Sequence, residues 1–349
     1  MSPDFQPSTD GLVSVVVPVL DGEAFIAESL DSILAQTYAP IEVIVLDDGS
    51  TDGTPGILRD FEARGVTVVR HASPLGIYAN ANVGIRRARG EYVAVFHADD
   101  VYEPSLIEQQ VTYLRKNDPV GAVFAADIFV DADGREIGRL ELPESLRGSR
   151  PLSYAAVLNA LLTYKNTFLR CPSALVRRSV YEDVGLYDQE RFKNTSDLEM
   201  WLRIARSYDI AILEEHLFRY RRGHGSSSER YHRLRTDEER FFTILDRELR
   251  LAGREVATPH ALAAYEAHRA EDTLMRAVAC YILGDRSTAR RLLAALPFAA
   301  VVRSRAVSRG RLALLATALR VLVRLPRADA VAEAFRRRWH EPAPRVGAA

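Results

Sequence analysis

The sequence predicts an α/β fold with a mostly parallel central sheet flanked by helices, followed by an α-helical C-terminal extension. Three observations support this. Short β-branched apolar runs alternate with segments of helical period four times within the first hundred residues. Two of those strands end in paired carboxylates and small residues, where open α/β sheets place their ligands. Beyond residue 228, apolar positions recur at helical spacing. The 349-residue chain is therefore read as a flexible N-terminus over 1–11, an α/β domain over 12–228 and a basic helical region over 229–349.

Val13 to Val17 is a continuous β-branched run that stops at Pro18, the pattern of an interior parallel strand. Ala24, Ile26, Ala27, Leu30, Ile33 and Leu34 recur at helical spacing and predict a helix over 23–36. Glu42 to Leu46 is a second strand, ending in Asp47-Asp48-Gly49-Ser50-Thr51-Asp52-Gly53-Thr54. Small and glycine residues there allow a tight turn and a close backbone approach to a polar ligand. A third strand over 66–70 precedes Gly76 and a basic helix through Arg89.

The fourth strand, Tyr92 to Phe96, delivers His97-Ala98-Asp99-Asp100. Two adjacent carboxylates at a strand end are either hard oxygen ligands for a cation or the cap of the helix that Glu103 and Pro104 open. Further on, 120–125 and 128–131 read as strand, with Asp133-Gly134 turning into a hairpin arm over 135–140. A helix over 152–162 leads to an extended piece from Cys171 and a helix ending at Gly185. Ser196 is the expected N-cap of a helix whose buried stripe is Leu198, Trp201, Leu202 and Ala205. Asp197 then projects from its first turn, as a dipole partner or as a functional acid. Residues 210–213 and 217–221 read as closing strands, and 222–228 as a loop.

With 47% hydrophobic and 27% charged residues the chain has the composition of an ordered globular protein. Its charges nearly balance, 46 basic against 47 acidic, but arginine crowds 286–338. Interleaved with leucine, valine and alanine, those arginines predict either a helical face lying on an anionic membrane surface or a bundle with a solvated basic face. They lack the interleaved aromatics of a nucleic-acid surface. Cys171 and Cys280 lie too far apart for a disulfide framework or a zinc spacing, and point to a reducing compartment. The polar, acidic start argues against a secretory signal, and no uncharged apolar run approaches the ~20 residues that span a bilayer. A cytoplasmic protein is expected.

Taken in order and spacing, these features resemble glycosyltransferase family 2, enzymes of the GT-A fold, over residues 12–228. The residues that carry the resemblance are the strand ending in Pro18, the turn 47–54, Ala79-Asn80-Ala81-Asn82-Val83-Gly84-Ile85, His97-Ala98-Asp99-Asp100, and Ser196-Asp197 with Trp201-Leu202-Arg203. The resemblance implies a nucleotide-sugar pocket formed by Pro18, Asp48, Asn82 and Asp99. It implies a divalent cation, Mn²⁺ or Mg²⁺, held by Asp99 with Asp100 and with His224 of a loop similar to the family's Tyr-Arg-x-His-x-x-Ser pattern. Asp197 is implied as the general base, and transfer to an acceptor hydroxyl as inverting.

A glycan or lipid-linked glycan would be the acceptor, and a basic tail on the inner face of the cell membrane would suit the latter. Several positions depart from the family pattern. His97 replaces the first acid of the usual Asp-x-Asp, Leu20-Asp21 replaces Tyr-Asn, and Ser196 replaces Glu. The roles of His97 and of Ser173, beside the loop over 168–173, stay open. A processive polysaccharide synthase is disfavoured because Phe335 to Trp339 only mimics the Gln-x-x-Arg-Trp motif. A non-catalytic sugar-nucleotide binder is disfavoured by the presence of Asp48, Asp99 and Asp197 together.

Overall fold

The computed structural model describes residues 5–223, 235–296, 309–324 and Glu333. The chain forms two compact units, residues 1–226 and 227–349. In the first, strands β1 (Thr9–Val19), β2 (Ile41–Asp47), β3 (Thr67–Arg70) and β4 (Gly90–Val95) are joined by helices α1 (Ile26–Leu34), α2 (Thr54–Glu62) and α3 (Ile77–Arg87). Then follow β5 (Val101–Tyr102), α4 (Leu106–Lys116), β6 (Val120–Val130), β7 (Glu136–Arg139) and α5 (Tyr154–Tyr164). The unit closes with β8 (Leu175–Arg177), α6 (Arg178–Val184), α7 (Gln189–Phe192), α8 (Ser196–Ala205) and β9 (Asp209–Arg221).

These strands form one nine-stranded sheet in the order β3-β2-β1-β4-β8-β6-β9-β5, with β7 paired to β6. Pairing is parallel from β3 to β4 and between β6 and β9, and antiparallel on both sides of β8. β1 is hydrophobic on both faces because both are covered. Val13, Val15, Val17 and Val19 pack with Ile26, Leu30 and Ile33 of α1. On the other face α3 lies so close that a Cβ on Gly84 would collide with Val16 and come within 2.7 Å of Leu46 Cδ2. The chain crosses from β2 to β4 on either side of β1, so the carboxyl ends of β1, β2 and β4 line a crevice at the switch in strand order.

Three local expectations change. Residues 120–130 and 209–221 are each one strand, since the two pair in parallel over their whole lengths. The exposed pair Glu214-Glu215, which separates two apolar runs in the sequence, is absorbed as a register irregularity opposite Ala125 and Ala126. Ser196 is not an N-cap: Thr195 holds that position, and the Ser196 hydroxyl donates to the carbonyls of Lys193 at 2.7 Å and Asp188 at 3.1 Å. Asp99 and Asp100 do not cap α4, whose N-cap position is Ser105, because β5 intervenes.

The second unit contains α9 (Arg240–Ala252), α10 (Pro259–Ile282), α11 (Arg286–Ala295) and α12 (Arg309–Leu322). Thr258 caps α10 and Asp285 caps α11 through side-chain oxygens that accept backbone N–H groups. Leu274, Cys280, Tyr281, Leu293 and Leu319 belong to a core shared by α10, α11 and α12. Cys171 and Cys280 are both buried and unbridged. No helix among the described residues is long and apolar enough to cross a membrane.

Candidate active site

The loops that leave β1 and β2 are laced together at the crevice. Asp21, held at φ 51°, donates its N–H to Ser50 Oγ at 2.9 Å and accepts from the Thr51 N–H at 2.8 Å. Glu23 and the turn reciprocate: Glu23 N–H donates to Asp52, and Gly53 N–H donates to Glu23. Asp48, buried at the end of β2, accepts the N–H of Leu75 at 2.8 Å on one oxygen and that of Gly76 at 2.9 Å on the other. A predicted nucleotide ligand is thus also the anchor of the loop entering α3. Pro18 is buried at the end of β1, in register with Leu46.

His97, Asp99 and Asp100 converge past the end of β4, with their ligand atoms all within 4.8 Å of one another. Burial, aided by Asp99, pushes the Asp100 carboxyl well up, against the pull of the Arg221 N–H. Burial also holds His97 down, with Asp99 opposing, which favours the neutral imidazole with its lone pair. Asp100 Oδ2 and His97 Nε2 are buried and have no hydrogen-bond partner among the described residues. Two carboxylates and a neutral imidazole around such vacant acceptor positions suit a hard or borderline divalent cation.

Arg221, 4% exposed at the end of β9, braces this cluster. Its N–H donates to Asp100 Oδ1 and its Nε to the Asp99 carbonyl, both at 2.9 Å. Nη1 donates to the carbonyls of Asp131 and Ala132, and Nη2 to Glu28, with the Phe25 ring 4.6 Å away.

Asp197 stands in the first turn of α8, whose buried face is the expected Leu198, Trp201, Leu202 and Ala205. Burial pushes its carboxyl up to about 6, with the Leu198 backbone, the Tyr78 hydroxyl and Arg170 pulling the other way. Arg170 pairs at 3.2 Å with Asp127, a fully buried acid on β6, and lies 4.9 Å from the Tyr220 ring. Burial and then Asp100 raise the Tyr220 hydroxyl to about 12, with Arg170 opposing. Tyr220 therefore stands within electrostatic reach of Asp99 and Asp100, and Arg170 within reach of Tyr220 and of Asp197.

Other predicted residues lie elsewhere in the same fabric. Asn82 donates Nδ2 to the Tyr187 carbonyl at 2.8 Å and accepts the Tyr187 N–H at 3.0 Å, so both its polar atoms hold the loop before α7. Ser173 is buried, its hydroxyl donating to the Arg170 carbonyl at 3.0 Å. His224 lies outside the described residues. Sequence reasoning passed over Tyr78, Gln189, Asp127, Arg170 and Arg221. Only Asp127 left a trace, as an acid inside an apolar run.

Residues 14–185 match the family model described as glycosyl transferase family 2. An uncharacterized glycosyltransferase of Haemophilus influenzae is 32% identical over 213 residues, 60% of this chain and 65% of that protein. One of Rickettsia felis is 29% identical over 60% of this chain and 34% of its own length. The chain thus covers from a third to just under two thirds of these relatives. Among solved structures, Staphylococcus aureus TarS 1–349 in complex with UDP covers 93% of this chain and 91% of its own, at 18% identity and a TM-score of 0.57. Mannosyltransferase PcManGT from Pyrobaculum calidifontis, in complex with GDP-Man and Mn²⁺, covers 96% and 87%, at 19% identity and a TM-score of 0.52. At these identities the structural likeness is one of fold. Matched by the family model and built on the GT-A fold, the chain carries a glycosyltransferase family 2 domain.

Proposed function

We propose that this chain transfers a glycosyl group from a nucleoside diphosphate sugar to an acceptor hydroxyl, with inversion at the anomeric carbon and a divalent cation at His97, Asp99 and Asp100. The observation that carries the reading is the pairing of two acidic sites in one crevice network. One is a cluster with ligand atoms within 4.8 Å of each other; the other is Asp197, its carboxyl pushed up to about 6. Fold neighbours with UDP-GlcNAc and with GDP-Man and Mn²⁺ support the donor class and the cation.

In this reading Asp197, ionised above about pH 6, accepts the acceptor's hydroxyl proton while that oxygen bonds to the anomeric carbon. The bond from that carbon to the diphosphate oxygen breaks as the new one forms, and its electron pair leaves with the diphosphate. One displacement with no enzyme nucleophile inverts the centre. A bound Mn²⁺ or Mg²⁺ would supply Lewis-acid stabilisation of the charge on the leaving diphosphate. Asp48 holds the loop before α3 at the donor side of the crevice. Arg221 fixes the backbone of Asp99.

The test is Mn²⁺-dependent turnover across a panel of nucleoside diphosphate sugars. Turnover in the native protein and its loss in Asp99→Ala and Asp197→Asn are expected. An Asp197→Asn enzyme at full rate would overturn the assignment of the base.

We also propose that the acceptor is a glycan or lipid-linked glycan met at an anionic membrane surface. Support comes from α12, which exposes Leu314, Leu315 and Val321 beside the exposed Arg324.

A further inference from the structure

Phe129 on β6 and Tyr220 on β9 are partners in the parallel register, and both are only partly buried. Two guanidiniums lie against these same two rings. The Arg170 Cζ is 4.9 Å from the Tyr220 centroid and 5.8 Å from that of Phe129. The Cζ of the exposed Arg222 is 3.8 Å from Phe129 and 5.8 Å from Tyr220. Both arginines are fixed at the backbone. The Ser173 hydroxyl and N–H each donate to the Arg170 carbonyl at 3.0 Å, and the Arg222 N–H donates to the Val130 carbonyl at 2.8 Å. Arg170 uses only Nε on Asp127. Its two Nη groups and the whole Arg222 fork make no hydrogen bond among the described residues. Ring stacking occupies the face of a guanidinium and leaves its in-plane N–H donors open.

Two like charges on one pair of rings repel, and the ion pair of Arg170 with the buried Asp127, at 3.2 Å, compensates one of them. An anion would compensate the other. The place of the pair in the fold says which anion. Arg221, between Tyr220 and Arg222, donates its N–H to Asp100 and its Nε to the Asp99 carbonyl, so the two forks border the proposed cation site. In the strand order, β6 and β9 lie on the far side of β4 from β2, whose end carries Asp48 and the donor side of the crevice. We propose that Arg170 and Arg222 bind a phosphate group carried by the acceptor, on the glycan itself or in its lipid linkage, and so hold the acceptor hydroxyl in the crevice. The inference rests on the reading of the crevice as a glycosyl-transfer site. One fork already satisfies the two oxygens of a carboxylate, whereas the non-bridging oxygens of a phosphate monoester or diphosphate can take both forks.

Arg222→Gln removes one fork at an exposed position, where folding is least at risk. Inorganic phosphate, glucose 6-phosphate and geranyl diphosphate are titrated by calorimetry into metal-free protein, which keeps the anion off the cation site. The native protein is expected to bind inorganic phosphate, and Arg222→Gln to weaken it by about ten- to a hundredfold, the range of a hydrogen bond to a charged group. Arg222→Lys keeps the charge without the fork and is expected to fall between the two. Displacement of phosphate by glucose 6-phosphate would put the group on the sugar, and displacement by geranyl diphosphate would put it in a lipid linkage; either supports the site. Glucuronate bound as tightly as glucose 6-phosphate would overturn the choice of phosphate. Phosphate that binds native protein and Arg222→Gln alike, or binds neither, would overturn the site. Mn²⁺-dependent turnover of nucleoside diphosphate sugars, assayed alongside, separates the two readings. Turnover without phosphate binding overturns the anion site alone, whereas no turnover removes the transfer reading and with it the acceptor role.

Discussion

Arg221 Nε donates to the carbonyl of Asp99 at 2.9 Å, so a guanidinium buried at the end of the last strand holds the backbone of the metal-ligand candidate 122 residues earlier. The same residue donates its N–H to Asp100 and its remaining fork to two further carbonyls and to Glu28. Lysine cannot satisfy these acceptors at once, because it lacks the planar fork. Arg221→Lys is expected to destabilise the fold by about 2–4 kcal/mol in urea unfolding. It should also weaken Mn²⁺ binding measured by calorimetry. Unchanged Mn²⁺ affinity would separate the brace from the cation site.

Metal dependence has its own signature. Adding Mn²⁺ should raise the melting temperature of the native protein by mass action, by about 2.7 kcal/mol of stability at a hundred times its Kd. Asp99→Ala should show no such rise. His97→Ala is expected to retain a weakened response, since Asp99 and Asp100 remain. An equal response in all three proteins would place the cation elsewhere.

Turnover should rise with pH through about 6 and level off above 7, because Asp197 must be ionised to take a proton. Stability moves the other way. The folded carboxyl titrates above its ordinary value of 3.8, so its contribution is intact below that value and is lost as pH rises toward 6. Asp197→Asn should therefore gain stability relative to the native protein between pH 4 and pH 8, by up to about 3 kcal/mol. Chemical denaturation at the two pH values measures the difference.

Asn82 lies in a segment that resembles the family's nucleotide-sugar motif, yet both its polar atoms engage the Tyr187 backbone. Asn82→Ala leaves a buried N–H and C=O unpaired and should cost about 2–4 kcal/mol. Donor KM in the surviving folded enzyme is expected to stay within about twofold, less than the tenfold of one 1.4 kcal/mol contact. A large rise in KM without loss of stability would return Asn82 to the pocket.

Vesicle flotation tests the membrane reading. The full chain should float with phosphatidylglycerol-rich vesicles at low salt and detach as salt screens the arginines. Replacing Leu314, Leu315 and Val321 by serine should weaken capture, since their exposed apolar area is the proposed anchor. Indifference to both salt and these substitutions would remove it.

The sequence by itself determined the alternation of strand and helix, because a strand buried on both faces must read as an unbroken β-branched run, as 13–17 does, and a packed helix must repeat at its own period. It also marked Asp48, Asp99 and Asp197 as candidates, because they stand in segments that resemble the family's motifs. Only the tertiary structure decided what those carboxylates touch. Arg221 meets Asp99 and Gln189 meets Tyr78 across separations of about a hundred residues, by contacts that no local pattern encodes. The same holds for the strand over 209–221, whose break at Glu214-Glu215 looks like a boundary until its partner strand supplies the register that makes it a bulge. Local chemistry is written in residue order, whereas the positioning of one charge by another depends on which strand ends the sheet brings side by side.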